Sequence, residues 1–98
     1  MTKVWYVYMI ELSNGAYYTG ITNDVHNRMK LHKEGRGSKY VRSFLPFRLV
    51  YLEEAGGRSE ATKREIEIKR WRKIKKLGQM ASPNNLAWNK EWRKYNGG

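Results

Sequence analysis

Tyr8 and Tyr18, Arg28 and His32, and Glu65 are the residues whose types and spacing suit chemistry in this 98-residue chain. Arg28 and His32 are four apart, the interval at which side chains leave a helix on one side. A forked guanidinium can brace a phosphate through paired hydrogen bonds, and a tyrosine or histidine can take a proton from an attacking water. A carboxylate can hold a hard cation that polarises a phosphate oxygen. Together these parts suit hydrolysis of a phosphodiester. The chain has no cysteine, and His26 and His32 are too few for a zinc cluster. Any metal must therefore be hard and oxygen-bound, its shell completed by phosphate oxygens and water. No Ser-His-Asp set, phosphate-binding glycine loop or paired-carboxylate signature competes with this reading.

The elements that must position these groups begin with residues 4–12 and 16–21, both rich in β-branched and aromatic side chains. Ser13, Asn14 and Gly15 between them are turn formers, so the segment reads as a β-hairpin. The first run is apolar at nearly every position, which suggests a central strand covered on both faces. Two registers are open. A two-residue loop at Asn14-Gly15 would put Tyr8 and Tyr18 on opposite faces. A three-residue loop with left-handed Gly15 pairs Leu12 with Ala16, Ile10 with Tyr18 and Tyr8 with Gly20. The two tyrosines then share a face, about 7–8 Å apart at the backbone. The second register is predicted, and Glu11 paired with Tyr18 would refute it. Gly20, inside a strand, marks either a bulge or a gap left for a ligand.

Thr22, Asn23 and Asp24 supply an N-cap for a helix over residues 25–34, ended by Gly35. Residues 35–43 read as a connection whose Arg36, Lys39 and Arg42 suit phosphate contact. A third strand spans 47–53, with Pro46 at its start and Gly56-Gly57 at its end. Ser59 opens a long helix over 60–77, capped by Gly78, with Ala61, Ile68, Trp71, Ile74 and Leu77 facing inward. Glu65 projects beside that stripe, so either an ion pair with an arginine or a metal must account for it. A short segment, 86–95, is anchored by Trp88 and Trp92, and residues 96–98 should fray. The expectation is one domain over residues 1–98, with a core over about 3–80 and a helical tail.

Lysine and arginine number 20 against 9 acidic residues, a net charge of +11 that favours a polyanionic partner. Lys69, Arg70, Arg72, Lys73 and Lys76 on the long helix join Arg36, Lys39 and Arg42 as expected nucleic-acid contacts. With Met1, Thr2 and Lys3 leading straight into a strand, no signal peptide or membrane span is expected, which makes the cytoplasm the default location. No membrane partner is expected, and a monomer is favoured.

The chain resembles the GIY-YIG endonucleases, specifically their small stand-alone bacterial members. The resemblance rests on Tyr6-Val7-Tyr8 at the first motif, Tyr18-Thr19-Gly20 at the second, Arg28 and His32 on the following helix, and Glu65 within residues 64–69. Tyr6 replaces the glycine of the first motif, Val7 its middle residue, and Thr19 the isoleucine of the second, while both motif tyrosines are present. The resemblance implies an α+β fold: a small three-stranded antiparallel sheet flanked by helices, in the order ββαβαα. It implies a divalent ion, Mg2+ or Mn2+, on Glu65. Tyr8 and Tyr18 would position and deprotonate a water, Arg28 would stabilise the phosphate, and His32 would be a further base or phosphate donor. Tyr6 and Gly20 would support the site. A late asparagine should support the glutamate or a phosphate; Asn84, Asn85 and Asn89 all match, and Asn89 is favoured. The implied activity is structure-selective cleavage of DNA in repair or recombination, on branched, nicked or single-stranded forms. The alternatives are a non-catalytic module that binds nucleic acid through the same basic surface and a basic protein that docks on RNA or a ribosome.

Overall fold

The computed structural model describes residues 3–97. Strands β1 (Trp5–Leu12) and β2 (Tyr17–Thr22) are followed by helices α1 (Val25–Lys33) and α2 (Lys39–Ser43). Strand β3 (Phe47–Gly56) and helices α3 (Arg58–Lys69) and α4 (Lys73–Met80) come next, and two 3-10 segments, Leu86–Trp88 and Lys90–Tyr95, end the chain. The sheet has three strands in the order β2-β1-β3, antiparallel throughout. The α+β class and the antiparallel sheet are therefore as the resemblance implied, and β1 is central as its unbroken apolar run required.

Side chains of β1 alternate between two cores. Tyr8, Ile10 and Leu12 pack with Val25 and Met29 of α1, Val41 of α2 and Trp92 and Tyr95 of the tail. Val7 and Met9 pack on the other face with Ala61 and Ile68 of α3 and Met80 of α4. The β1/β3 pairing shifts between Met9 and Ile10, which face Tyr51 and Leu49, leaving Val50 as the extra residue of a bulge. Leu49 and Leu52 consequently serve the first core, while Val50 and Tyr51 serve the second.

The hairpin takes the predicted three-residue loop. Gly15 is left-handed at φ 83°, Ile10 faces Tyr18, Tyr8 faces Gly20, and Glu11 faces Tyr17. Asp24 caps α1 by accepting from the Asn27 amide at 3.1 Å.

Elsewhere the structure departs from expectation. The connection over 35–43 contains α2, because the Ser38 hydroxyl accepts from the Val41 amide and starts a turn of helix. Helix α3 begins at Arg58 on extended Gly57, so Ser59 is inside it and not its cap. The expected single helix over 60–77 breaks at residues 70–72, where Arg72 is extended. A continuous helix would stack Lys69 on Lys73 and Arg72 on Lys76, like-charge pairs each unfavourable by about 0.2–0.5 kcal/mol. Trp71 instead turns against the second core, with the Arg64 guanidinium 5.0 Å and the Lys75 ammonium 4.9 Å from its ring. The break also ruins the predicted stripe: Ala61 and Ile68 are buried, but Ile74 is 81% and Leu77 47% exposed. Gly78 does not cap; α4 runs through it to Met80.

The tail is 3-10 and not α-helical, and it covers the free edge of β3. Asn85 accepts from the Leu52 and Ala87 amides and donates to the Val50 and Met80 carbonyls, all at 2.8–3.0 Å. Those four bonds use its entire capacity. Asn96 does not fray, since its amide donates to the Leu49 carbonyl at 2.7 Å. Gly98 lies outside the described residues. Of the two expected anchors, Trp92 is buried against His26 with ring centroids 4.5 Å apart. Trp88 stays 41% exposed and is held by an Nε1 bond to the Met80 carbonyl at 2.6 Å.

Candidate active site

The hairpin register puts Tyr8 and Tyr18 on the α1 side of the sheet, their ring centroids 6.5 Å apart. His32, one turn beyond Arg28, closes the group. Its centroid lies 5.7 Å from that of Tyr8 and 5.6 Å from that of Tyr18, both in edge contact. Its Nε2 is 2.8 Å from the Tyr8 hydroxyl oxygen, a buried hydrogen bond joining strand to helix. Phe47 packs edge-on against the same imidazole at 5.9 Å.

Two glycines make this packing possible. A Cβ at Gly20 would lie 2.5 Å from the Tyr8 hydroxyl oxygen, so the gap in β2 is filled by Tyr8 itself, neither bulged nor left open. A Cβ at Gly37 would lie 2.7 Å from His32 Nδ1. The contribution of Gly37 was not legible in the sequence, where the segment reads only as a connector.

Burial controls the protonation of both partners. The Tyr8 hydroxyl is pushed well above its ordinary pKa, first by desolvation, then by Tyr18 and Glu65, with Arg28 opposing. His32, 1% exposed, is pushed down to about 4 by desolvation and by the charge of Arg28. At neutral pH the pair is therefore an uncharged hydroxyl and an uncharged imidazole. His32 Nδ1 has no hydrogen-bond partner among the described residues. Either tautomer leaves one hydrogen of the pair unpartnered: Nδ1–H when the Tyr8 hydroxyl donates to Nε2, the phenol O–H when Nε2–H donates to the Tyr8 oxygen.

Arg28, half-buried, acts electrostatically on both Tyr8 and His32, and Glu65 reaches Tyr8 in the same way from α3. The structure thus brings Tyr8, Tyr18, Arg28, His32 and Glu65 into one electrostatic neighbourhood. Tyr6 packs beside them on the same core. Glu65 is 20% exposed, and its ion-pair partner is Lys69, not an arginine, at 3.5 Å. Arg64 is the arginine committed to structure, with bonds of 2.8 and 2.9 Å to the Glu53 carboxylate and an ion pair to Glu67.

No group of three or more histidine, cysteine or acidic side chains forms a metal cage among the described residues. A single carboxylate beside one long lysine bridge suits a hard ion that keeps most of its water, and does not suit zinc. Of the late asparagines, Asn85 is the buried one, and its amide is fully committed to backbone. Asn89 is exposed; its backbone joins the two 3-10 segments, and no hydrogen bond from its side chain to Glu65 is present among the described residues. Among the expected nucleic-acid contacts, Arg36, Lys39, Arg42, Lys69, Arg70, Arg72 and Lys73 are exposed and Lys76 is half-exposed.

A family model described as the GIY-YIG catalytic domain matches residues 4–77, a span that holds all five candidate residues. The UPF0213 proteins of Staphylococcus aureus strains Mu3 and Mu50 are each 44% identical to this chain over 72 residues, 74% of this chain and 88% of theirs. The solution NMR structure of the UPF0213 protein BH0048 from Bacillus halodurans is similar with a TM-score of 0.54 and 34% identity, over 93% of both chains.

Proposed function

The chain belongs to the GIY-YIG family, and from that premise we propose that it is a metal-dependent DNA endonuclease, selective for DNA structure and serving repair or recombination in the cytoplasm. The observation that carries this reading is the convergence of Tyr8, Tyr18 and His32, with their rings within 6.5 Å, under the charges of Arg28 and Glu65.

Each residue has a task in that reaction. Arg28 braces the scissile phosphate, where a fork of N–H donors offsets charge that grows in the transition state. The Tyr8 oxygen accepts the proton of the attacking water, and for that it must first be ionised. Burial opposes ionisation, while Arg28 and the His32 Nε2–H both favour the tyrosinate. Tyr18 holds the water against Tyr8. Glu65 would hold the divalent ion, Mg2+ or Mn2+, which supplies positive charge for the phosphate and reverses the effect of a bare carboxylate on Tyr8. Asn85 positions the tail against β3, and a role for Asn89 would be contact with a bound phosphate.

Incubation with nicked, flapped and branched DNA, with Mg2+ or Mn2+ and then with chelator, tests the proposal. Cleavage that chelator abolishes supports it. A second reading, a binding module that cuts nothing, draws on one observation: without an added cation Tyr8 is a strongly protonated phenol. Salt-sensitive binding with no product under every metal condition would favour that module.

A further inference from the structure

We propose that the elbow between α3 and α4 is an apolar wedge, in which Ile74 inserts at an interruption in a DNA duplex and so selects nicked or branched substrate. The inference rests on the nucleic-acid reading above and goes beyond it by naming the feature recognised and the residue that recognises it.

Residues 69–76 read Lys-Arg-Trp-Arg-Lys-Ile-Lys-Lys, and no acidic residue follows until Glu91. Within this cationic run Trp71 is turned inward and fixed by Arg64 and Lys75. Ile74 alone points out: it is 81% exposed, the most exposed of the large apolar side chains among the described residues. Leu77, one turn later and 47% exposed, extends the apolar ridge. Exposed isoleucine contributes nothing to folding, and the helix break that presents it is held by the Trp71 packing.

The surrounding charge decides what can cover it. A second copy of this chain would bring two such cationic runs together, which like-charge repulsion opposes. A duplex presents phosphates to the cations and a stack of bases to the apolar tip, and isoleucine and leucine are side chains that proteins insert between base steps. Unstacking costs a few kcal/mol in intact duplex and less where a strand is already interrupted. The same wedge therefore binds a nick or branch better than a continuous duplex. Glu65 and Lys69 lie one turn apart on α3, so the elbow begins about 6 Å along the helix from the candidate metal ligand.

The test measures binding in chelator, where no cleavage can occur, on a duplex with one nick beside a fluorescent adenine analogue and on the same duplex without the nick. Wild-type protein should prefer the nicked form and brighten the analogue. Ile74→Ala should weaken nicked binding by about tenfold and remove the brightening. It should leave affinity for the continuous duplex and its salt slope unchanged, and Ile74→Leu should restore preference and signal. Equal loss on both DNAs, or unchanged preference and brightening in Ile74→Ala, would overturn the wedge. So would Ile74-dependent binding to vesicles of anionic phospholipid that exceeds binding to nicked DNA. Because no cut is scored, absence of nuclease activity would leave this result standing, and cleavage indifferent to Ile74 would remove the wedge alone.

Discussion

Tyr8 and His32 share one hydrogen bond and have opposite tendencies, each held uncharged by the same burial. For His32 the consequence is a pH-dependent stability. Its folded pKa of about 4 lies below the ordinary 6.5, so the unfolded chain binds the proton first. Stability is full above pH 6.5 and falls as pH drops toward 4, by about 2–3 kcal/mol from this group. Urea denaturation of wild type and His32→Gln across that range should show the wild type losing the greater share. For Tyr8 the raised pKa makes the ionised form scarce at neutral pH, so cleavage should rise about tenfold per pH unit through the neutral range. A rate independent of pH there would remove Tyr8 as the base. Replacing Glu65 with Ala should abolish metal-dependent cleavage and leave DNA binding in place, measured by gel shift beside the cleavage assay.

At the scale of elements, the hairpin register determines whether a site can form. Gly20→Ala places a methyl group 2.5 Å from where the Tyr8 hydroxyl oxygen now sits. Displacing that ring should cost about 1–3 kcal/mol of stability and most of the activity, read by thermal denaturation and by cleavage rate. Asn85→Ala should cost about 2–4 kcal/mol, because it strands the Leu52 amide and Val50 carbonyl of β3 and the Ala87 amide of the tail. The hairpin was legible in the sequence because Gly15 can adopt the left-handed conformation and the apolar run of β1 needs cover on both faces. Arg28 and His32 were legible through their helical interval. The break in the long helix was not, because apolar spacing alone points Ile74 and Leu77 inward and carries no trace of the like-charge repulsion along residues 69–76 that opposes a continuous helix. Asn85 is one of three candidate asparagines in the sequence, where Asn89 is the one favoured, and only the free edge of β3 distinguishes Asn85. The Gly37 contact with His32 joins segments whose approach no local pattern announces.

Over the whole molecule, charge and shape divide the work of recognition. A net charge of +11 should make DNA binding steeply salt-dependent, with each phosphate contact adding about 0.9 to the slope of log affinity against log salt. Replacing Arg70 and Lys73 together should lower that slope by about 2 and weaken all DNAs alike. No helix among the described residues is long and apolar enough to cross a membrane. The central claim is that the cluster around Tyr8 breaks a phosphodiester bond. Its most direct test is cleavage of a flapped duplex with Mg2+ by wild type and by Tyr8→Phe, with binding measured in parallel. Product should come from wild type, and the variant should be slower by at least about 100-fold at unchanged affinity. Equal rates from the two proteins, or tight binding by wild type with no product, would contradict it.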